Sequence, residues 1–267
     1  MERLKEIERS IIKKYRKEIW SKYVKGVKEF EMIKENDKIA VCISGGKDSF
    51  LLAKCMQELL RHKKFHYELE FIVMNPGYNE ENIIKIKENL KILGIDAHIF
   101  DTPIFDVADK TDNPCYLCAR MRRGYLYSYA QKLGCNKIAL GHHFDDVIET
   151  ILMNILYTGN YASMMPKLHS DNFKGMELIR PLYFVREKDI KSWAKYNGLE
   201  FIDCACSVTK KKIGKRQEVK ELVQKLNEMY KEVDKCIFAS SFNVNLNTVI
   251  GYKKGNEKYT FMDDYDM

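Results

Sequence analysis

The chain is predicted to fold as an α/β protein, a doubly wound parallel sheet with a helical N-terminal extension, on three observations. Apolar runs of strand length alternate with longer helical patterns. The first of these runs, Ile39 to Ile43, ends in the glycine-bearing turn Ser44-Gly45-Gly46-Lys47-Asp48-Ser49, from which a helical pattern starts at Phe50. A later run, Lys137 to Leu140, delivers Gly141-His142-His143-Phe144-Asp145-Asp146 to the carboxyl end of the sheet, where open α/β sheets hold their ligands.

Residues 1 to 35 read as a charged amphipathic helix pair, because Ile7, Ile11, Ile12, Tyr15, Ile19 and Trp20 recur at near-helical spacing. Ile39 to Ile43 is a buried strand, and Phe50 to Leu60 is a helix that packs back on the sheet. Glu70 to Met74 forms the second strand and stops at the turn Asn75-Pro76-Gly77. Asn79 to Leu93 is a helix closed by Gly94, and His98 to Phe100 is the third strand. A polar loop ends at Asn113-Pro114 and a long helix runs on to about Leu133, followed by the fourth strand, Lys137 to Leu140. Beyond the helix Val147 to Tyr157 comes an irregular stretch, then Leu178 to Leu182, a helix from Glu187 to Tyr196 and a short strand at Phe201-Ile202. After Gly251 the tail is polar enough to be loose. The organisation expected is an extension over 1–36, a central domain over 37–216, and C-terminal helices with a polar tail over 217–267.

Composition narrows the classes. With 267 residues, 45% of them hydrophobic, the chain can bury a substantial core. Its apolar runs are short and broken by charge, and Met1 to Lys17 is rich in Lys, Arg and Glu, which excludes a membrane span and a secretory signal and points to the cytoplasm. Lys and Arg exceed Asp and Glu by 45 to 38, a formal charge of +7 that suits a polyanionic partner. Eight cysteines in such a chain argue for reactive or metal-bound thiols where they cluster, rather than for a disulfide scaffold.

The turn after the first strand carries the first piece of chemistry. Gly45 and Gly46 let the backbone turn with its N–H groups outward, and the helix N-terminus that follows adds positive dipole, so the segment can hold a phosphate. Lys47 adds a full charge, Ser44 and Ser49 add hydroxyls, and Asp48 adds a carboxylate in the same turn. The spacing is not that of the common Walker loop, which disfavours an ordinary phosphate-loop ATPase. At the end of the fourth strand, Asp145 can hold magnesium on ATP phosphates or orient the nucleotide, while Asp146 caps the next helix; His142 and His143 can donate to phosphate oxygens. Adenine contacts are expected from the end of the second strand, Ile72 to Asn75 with Met74, and from Gly141.

The cysteines carry the second piece. Cys115-Tyr116-Leu117-Cys118 follows Pro114 at a helix start, so two thiolates leave one turn. Cys204 and Cys206 lie far downstream, and either can return to the first pair. Four thiolates would suit a structural zinc, whereas three would suit an iron–sulfur cluster with one open iron; a redox dithiol is the weaker option. Cys42, Cys55, Cys135 and Cys236 sit singly in or beside apolar segments and read as packing residues. Arg120, Arg122 and Arg123 follow the pair at once, and Arg122 and Arg123 can meet RNA phosphates or steady an anionic leaving group.

The loop Ser44 to Ser49 resembles the pyrophosphate loop of N-type ATP pyrophosphatases. With the cysteines in view, the chain from about Lys38 to Gln217 resembles the tRNA 2-thiocytidine synthetase family, a branch of the pyrophosphate-loop tRNA thiolases. The resemblance rests on that loop, Cys115-Tyr116-Leu117-Cys118 with Arg122-Arg123-Gly124, Gly141-His142-His143 with Asp145-Asp146, Met165-Pro166-Lys167-Leu168, and Arg180-Pro181-Leu182 with Arg186-Glu187-Lys188-Asp189-Ile190. It implies a Rossmann-like fold of the adenine nucleotide alpha hydrolase type. It also implies a magnesium-dependent reaction in which ATP adenylates the C2 oxygen of a tRNA cytidine at position 32 and sulfur replaces the adenylate. A 4Fe-4S cluster on three cysteines, a cysteine desulfurase as sulfur donor and a homodimer are implied as well. The site residues implied are Lys47, Asp48, Asp145, Arg122 and Arg123 for catalysis, Ser44 to Ser49 with Met74, Gly141 and His142 for the nucleotide, and Cys115, Cys118 and Cys206 for the cluster. One departure stands out: the family's Pro-Cys-x-x-Cys-Gly-Ser reads here Asp203-Cys204-Ala205-Cys206-Ser207, so Cys204 competes with Cys206 as third ligand. Thiolation of a uridine, a lysidine synthetase-like ligase, and a noncatalytic RNA-binding module stapled by zinc are the competing readings.

Overall fold

The computed structural model describes residues 2–62, 66–108, 114–202, 214–263 and 265. A six-stranded sheet forms the middle layer, with strands β1 (Lys38–Ile43), β2 (Glu68–Asn75), β3 (His98–Asp101), β4 (Lys137–Ala139), β5 (Lys167–His169) and β6 (Glu177–Ile179) in the spatial order β3-β2-β1-β4-β6-β5. All pairs are parallel except β5 with β6. Because β2 and β3 build outward on one side of β1, and β4 and β6 on the other, the strand order reverses between β1 and β4. The loops leaving those two strands therefore part around a crevice, and they are Ser44–Ser49 and Gly141–His143.

The pleat sorts β1 onto two cores. Ile39, Val41 and Ile43 face one helical layer, with α3 (Lys47–Arg61), α7 (Phe144–Thr158) and α8 (Glu187–Tyr196), while Ala40 and Cys42 face α6 (Pro114–Lys132) through Tyr127 and Ala130. Phe100 stacks on Tyr129 of α6 at 4.1 Å. Ahead of α6 come α4 (Glu80–Ile92), capped by Asn79, and the short α5 (Ile104–Ala108). The amino-terminal helices α1 (Glu2–Ile12) and α2 (Ser21–Glu29), with a π-helical turn between them, share the larger core: Ile7, Ile11, Ile19 and Tyr23 pack in the same cluster as Phe50 and Leu51. Buried polar ties reinforce that seam, since Trp193 Nε1 donates to Ser10 Oγ at 3.1 Å and Lys54 Nζ to Glu8 Oε1 at 2.6 Å. After α8 come α9 (Lys215–Met229) and α10 (Val233–Ser240).

Four departures from the sequence reading have local causes. The first-layer helix starts at Lys47 instead of Phe50, because Gly46 takes an extended conformation and serves as its cap. Phe201 and Ile202 form no strand: the place beside β6 belongs to β5, and Phe201 instead stacks on Phe50 at 5.3 Å. The tail folds into a hairpin of β7 (Gly251–Lys254) and β8 (Glu257–Thr260), in which Gly255 takes φ +63° at the turn and Tyr252 stacks on Tyr259 at 4.9 Å. Cys236 is exposed, because α10 turns Asp234 and Phe238 inward, whereas Cys42, Cys55 and Cys135 are buried as expected. Among the described residues, no helix is long and apolar enough to cross a membrane.

Candidate active site

The loop after β1 is fixed by its own hydroxyls. Ser49 Oγ donates to Gly46 O at 2.8 Å and accepts from Ser44 N at 3.1 Å, which draws the loop closed over the first turn of α3. Gly45 has φ +91°, and a Cβ there would lie 2.5 Å from Ile202 Cδ1, so a side chain is excluded by both backbone and space. Gly141 passes so close that a Cβ would stand 3.0 Å from Ser49 N, bringing the β4 loop against the phosphate-type turn.

Charge in this turn is already balanced. Lys47 Nζ lies 3.1 Å from Asp48 Oδ2 and 3.1 Å from Glu187 Oε1, and Lys220 Nζ donates to Glu187 Oε2 at 2.6 Å. Burial opposes the Lys47 charge, but the two carboxylates outweigh it and hold the ammonium above its ordinary pKa. Glu187 is likewise opposed by burial, yet Lys220 and Lys47 bring it down to about 2. The second oxygen of Asp48, Oδ1, is buried without a hydrogen-bond partner, and His143 Nε2 stands 3.7 Å away. A buried carboxylate oxygen left unpaired invites a cation. Magnesium fits here, since it is held by one or two carboxylates with the phosphates of the nucleotide supplying the rest.

The polar residues after β4 divide their duties. Asp146 N donates to His143 Nδ1 at 3.4 Å and His143 N donates to Asp146 Oδ2 at 2.9 Å, a reciprocal cap on α7 that matches the capping expected of Asp146. Asp145 points to α8: its Oδ2 accepts from Glu187 N at 2.7 Å, and Arg186 Nη2 is 3.2 Å from its Oδ1. The Asp145 carboxylate is thus spent on α8, and of the two carboxylates expected near the nucleotide it is Asp48 that keeps an oxygen open.

A cleft of 1190 Å³ opens above these loops. Ser44, Asp48, Ser49, Met74, Gly141 and His142 line it, together with Arg120, Arg122 and Arg123 of α6 and with Arg180. Arg122 lies over the Phe105 ring at 5.7 Å, with its Nε buried and without a hydrogen-bond partner. Cys118 sits half-buried near the start of α6. The side chain of Cys115 and both Cys204 and Cys206 lie outside the described residues. A cysteine on the helix whose arginines line the cleft, in a sequence with three further candidate thiols, is the donor chemistry that fits an iron–sulfur cluster.

Arg216 and Glu149 in this region are not singled out by sequence reasoning, and Arg180 and Glu187 enter it only as letters of the family resemblance, with no role assigned. Arg216 Nε reaches Glu149 Oε2 at 3.4 Å and its Nη1 reaches Asp146 Oδ1 at 3.5 Å, which ties the start of α9 to α7. Only its place four residues after a stretch of lysines could have hinted at it. Burial first, then the Asp146 charge, lifts the Glu149 carboxyl to about 7 against Arg216 and Lys220, from an ordinary value of 4.5. Between those values the folded chain keeps a proton that the unfolded chain has released, so stability declines as pH rises from about 4.5 to about 7 and is level above. Glu149→Gln is expected to remove this slope. Melting temperatures measured at pH 5, 6 and 7 should show the variant gaining on the parent with pH, and a constant difference would refute the assignment.

Comparison with known proteins agrees with this geometry. A family model described as a PP-loop domain matches residues 15–225. The chain is 39% identical over 208 residues to a tRNA-cytidine(32) 2-sulfurtransferase of Syntrophotalea carbinolica, covering 76% of this chain and 80% of that protein. It is 37% identical over 226 residues to the protein of the same name in Citrifermentans bemidjiense, covering 83% and 88%. In fold it is similar to the U34-tRNA thiolase NcsA from Methanococcus maripaludis, solved with its [4Fe-4S] cluster, at a TM-score of 0.64, with 23% identity over 81% of this chain and 75% of that one. The glycine turn, the second loop folded against it and relatives that share more than a third of their residues over most of the length make this chain a member of the PP-loop family, among the tRNA-cytidine(32) 2-sulfurtransferases.

Proposed function

We propose that the protein is an ATP-dependent tRNA sulfurtransferase that converts cytidine, at position 32, to 2-thiocytidine. The observation that carries this reading is the shared cleft. It is lined by Ser44, Ser49 and Asp48, with its open oxygen, from the loop that carries Lys47, and by Arg122 and Arg123 from the helix that bears Cys118. Activation of an oxygen and its replacement by sulfur then occur within one cavity.

The loop N–H groups and Lys47 hold the β- and γ-phosphates, and Asp48 is the residue that would hold magnesium, which supplies charge neutralisation on the polyphosphate. Such help is needed because Asp48 and Glu187 already balance Lys47. Arg122 and Arg123 meet RNA phosphates and keep the anticodon loop in the cleft. The C2 oxygen of the base attacks the α-phosphorus, the α–β bridge breaks and pyrophosphate leaves. A sulfur nucleophile then adds at C2, the C2–O bond breaks and AMP departs. Cys115, Cys118 and Cys206 would hold the 4Fe-4S cluster, with Cys204 as rival for the third place; when bound, it supplies an open iron able to carry sulfide. The sulfur comes from a cysteine desulfurase, and the working form is a homodimer.

The test is an oxygen-free incubation with tRNA, ATP, magnesium, sulfide and free lysine, followed by nucleoside digestion and mass spectrometry. Formation of 2-thiocytidine with one AMP and one pyrophosphate per sulfur is expected. Thiouridine in its place would move the protein to the uridine thiolases, and a lysine-bearing cytidine would make it a ligase. Stoichiometric zinc without ATP turnover would leave an RNA-binding module.

A further inference from the structure

His142 and Arg180 meet in a way that the proposed chemistry leaves unexplained. His142 stands at the end of β4 and lines the cleft. Arg180, one residue beyond β6, sends its Nε–H to His142 Nδ1 at 3.3 Å, while its Nη1 donates to the carbonyl of Met165 and its backbone N–H to Pro166 O at 2.9 Å. The guanidinium is thus pinned on its far side and can only donate. An imidazole nitrogen that accepts from a guanidinium carries no proton.

We infer that Arg180 is a positioning residue that locks His142 as the neutral tautomer with its proton on Nε2, so that the cleft is offered a fixed hydrogen-bond donor and no titrating base. The groups facing His142 are Asp146 and His143 at the start of α7, Arg180 after β6, and Arg216 of α9. Burial comes first in lowering the His142 pKa to about 4, Asp146 opposes it, and Arg180, Arg216 and His143 add to it. Arg180 stays cationic at neutral pH even though burial brings it down to about 10. What the donor meets rests on the reading of the cleft as the adenylation site: there it faces an acceptor atom of the nucleotide or base, and the proton chemistry of the reaction belongs to other groups. The lock itself does not depend on that reading.

The experiment is nitrogen NMR of the full-length protein labelled at histidine, with His142→Gln used to assign the signal. Between pH 6 and 8 the wild type should show His142 with bare Nδ1 and protonated Nε2, and no titration. Arg180→Gln should raise its midpoint toward the ordinary histidine value, and the rate of pyrophosphate release with tRNA should gain a fall at low pH that the wild type lacks. His142→Gln, which keeps an N–H near the Nε2 position, should retain at least about tenfold more activity than His142→Ala. A proton on Nδ1 in the wild type, a His142 titration near neutrality, or equal losses in the two His142 variants would overturn the inference. Because the tautomer is read without substrate, a protein that proved not to thiolate RNA would still show the lock or lack it.

Discussion

Lys47→Ala is expected to lower pyrophosphate release from ATP by about 10²- to 10³-fold, the loss seen when a positioned donor is removed from a developing anion. Lys47 is the cation of the loop, and it reaches two carboxylates from the first turn of α3. With it gone, Asp48 loses its partner on Oδ2 while Oδ1 already has none, so the cradle turns from balanced to repulsive toward phosphate. Glu187 keeps Lys220 at 2.6 Å and Lys191 at 3.1 Å, so α8 stays anchored. The melting temperature should change little and the visible absorption of protein prepared without oxygen should match the wild type. Pyrophosphate release within a factor of three of wild type would show that the loop does not cradle the phosphates.

Cys118→Ala should give the complementary phenotype, with thiolation abolished, the absorption of the cluster lost and ATP binding retained. Cys118 belongs to neither buried core cluster, so its removal leaves no core cavity. The buried thiols make a useful contrast. Burial raises Cys42 and Cys55 far above the ordinary thiol range and lifts Cys135 to about 11, which disfavours their thiolates. Replacing Cys135 by Ala should leave the absorption intact. Full thiolation by the Cys118 variant, measured as thionucleoside per tRNA, would remove the cysteine pair from the mechanism.

The sequence was most legible where backbone conformation forces residue choice. Gly45 at φ +91° and Gly141 against Ser49 leave no room for a side chain, so the loop and its neighbour announce themselves in a handful of letters. Apolar runs of five and four residues placed β1 and β2 within two residues. The three-residue β5 was illegible, because a run that short has no period, and its antiparallel pairing depends on the turn that returns the chain to β6. Pairings across long stretches were also out of reach: Lys47 with Glu187, Asp145 with Arg186 and His142 with Arg180 unite residues that only the strand order brings together. Asp145 and Asp146 show the limit well. The capping by Asp146 was legible from its place at a helix start, whereas the contact of Asp145 with the first turn of α8 depends on a partner 42 residues away.

The helix α10 shows that the recognisable pattern and the folding unit have different borders. The family match stops at residue 225, yet beyond it Phe238 stacks on Phe144 at 4.3 Å, and Asp234 binds Arg186, whose other partner is Asp145. At the opposite end, Ile7 and Ile11 are buried ahead of the first matched residue. A polypeptide trimmed to the matched span would therefore lose the supports of α7 and α8 together, and with them the scaffolding of the nucleotide loops. For anyone dividing such proteins into interchangeable parts, the shortest heritable signature is smaller than the smallest piece that can stand alone.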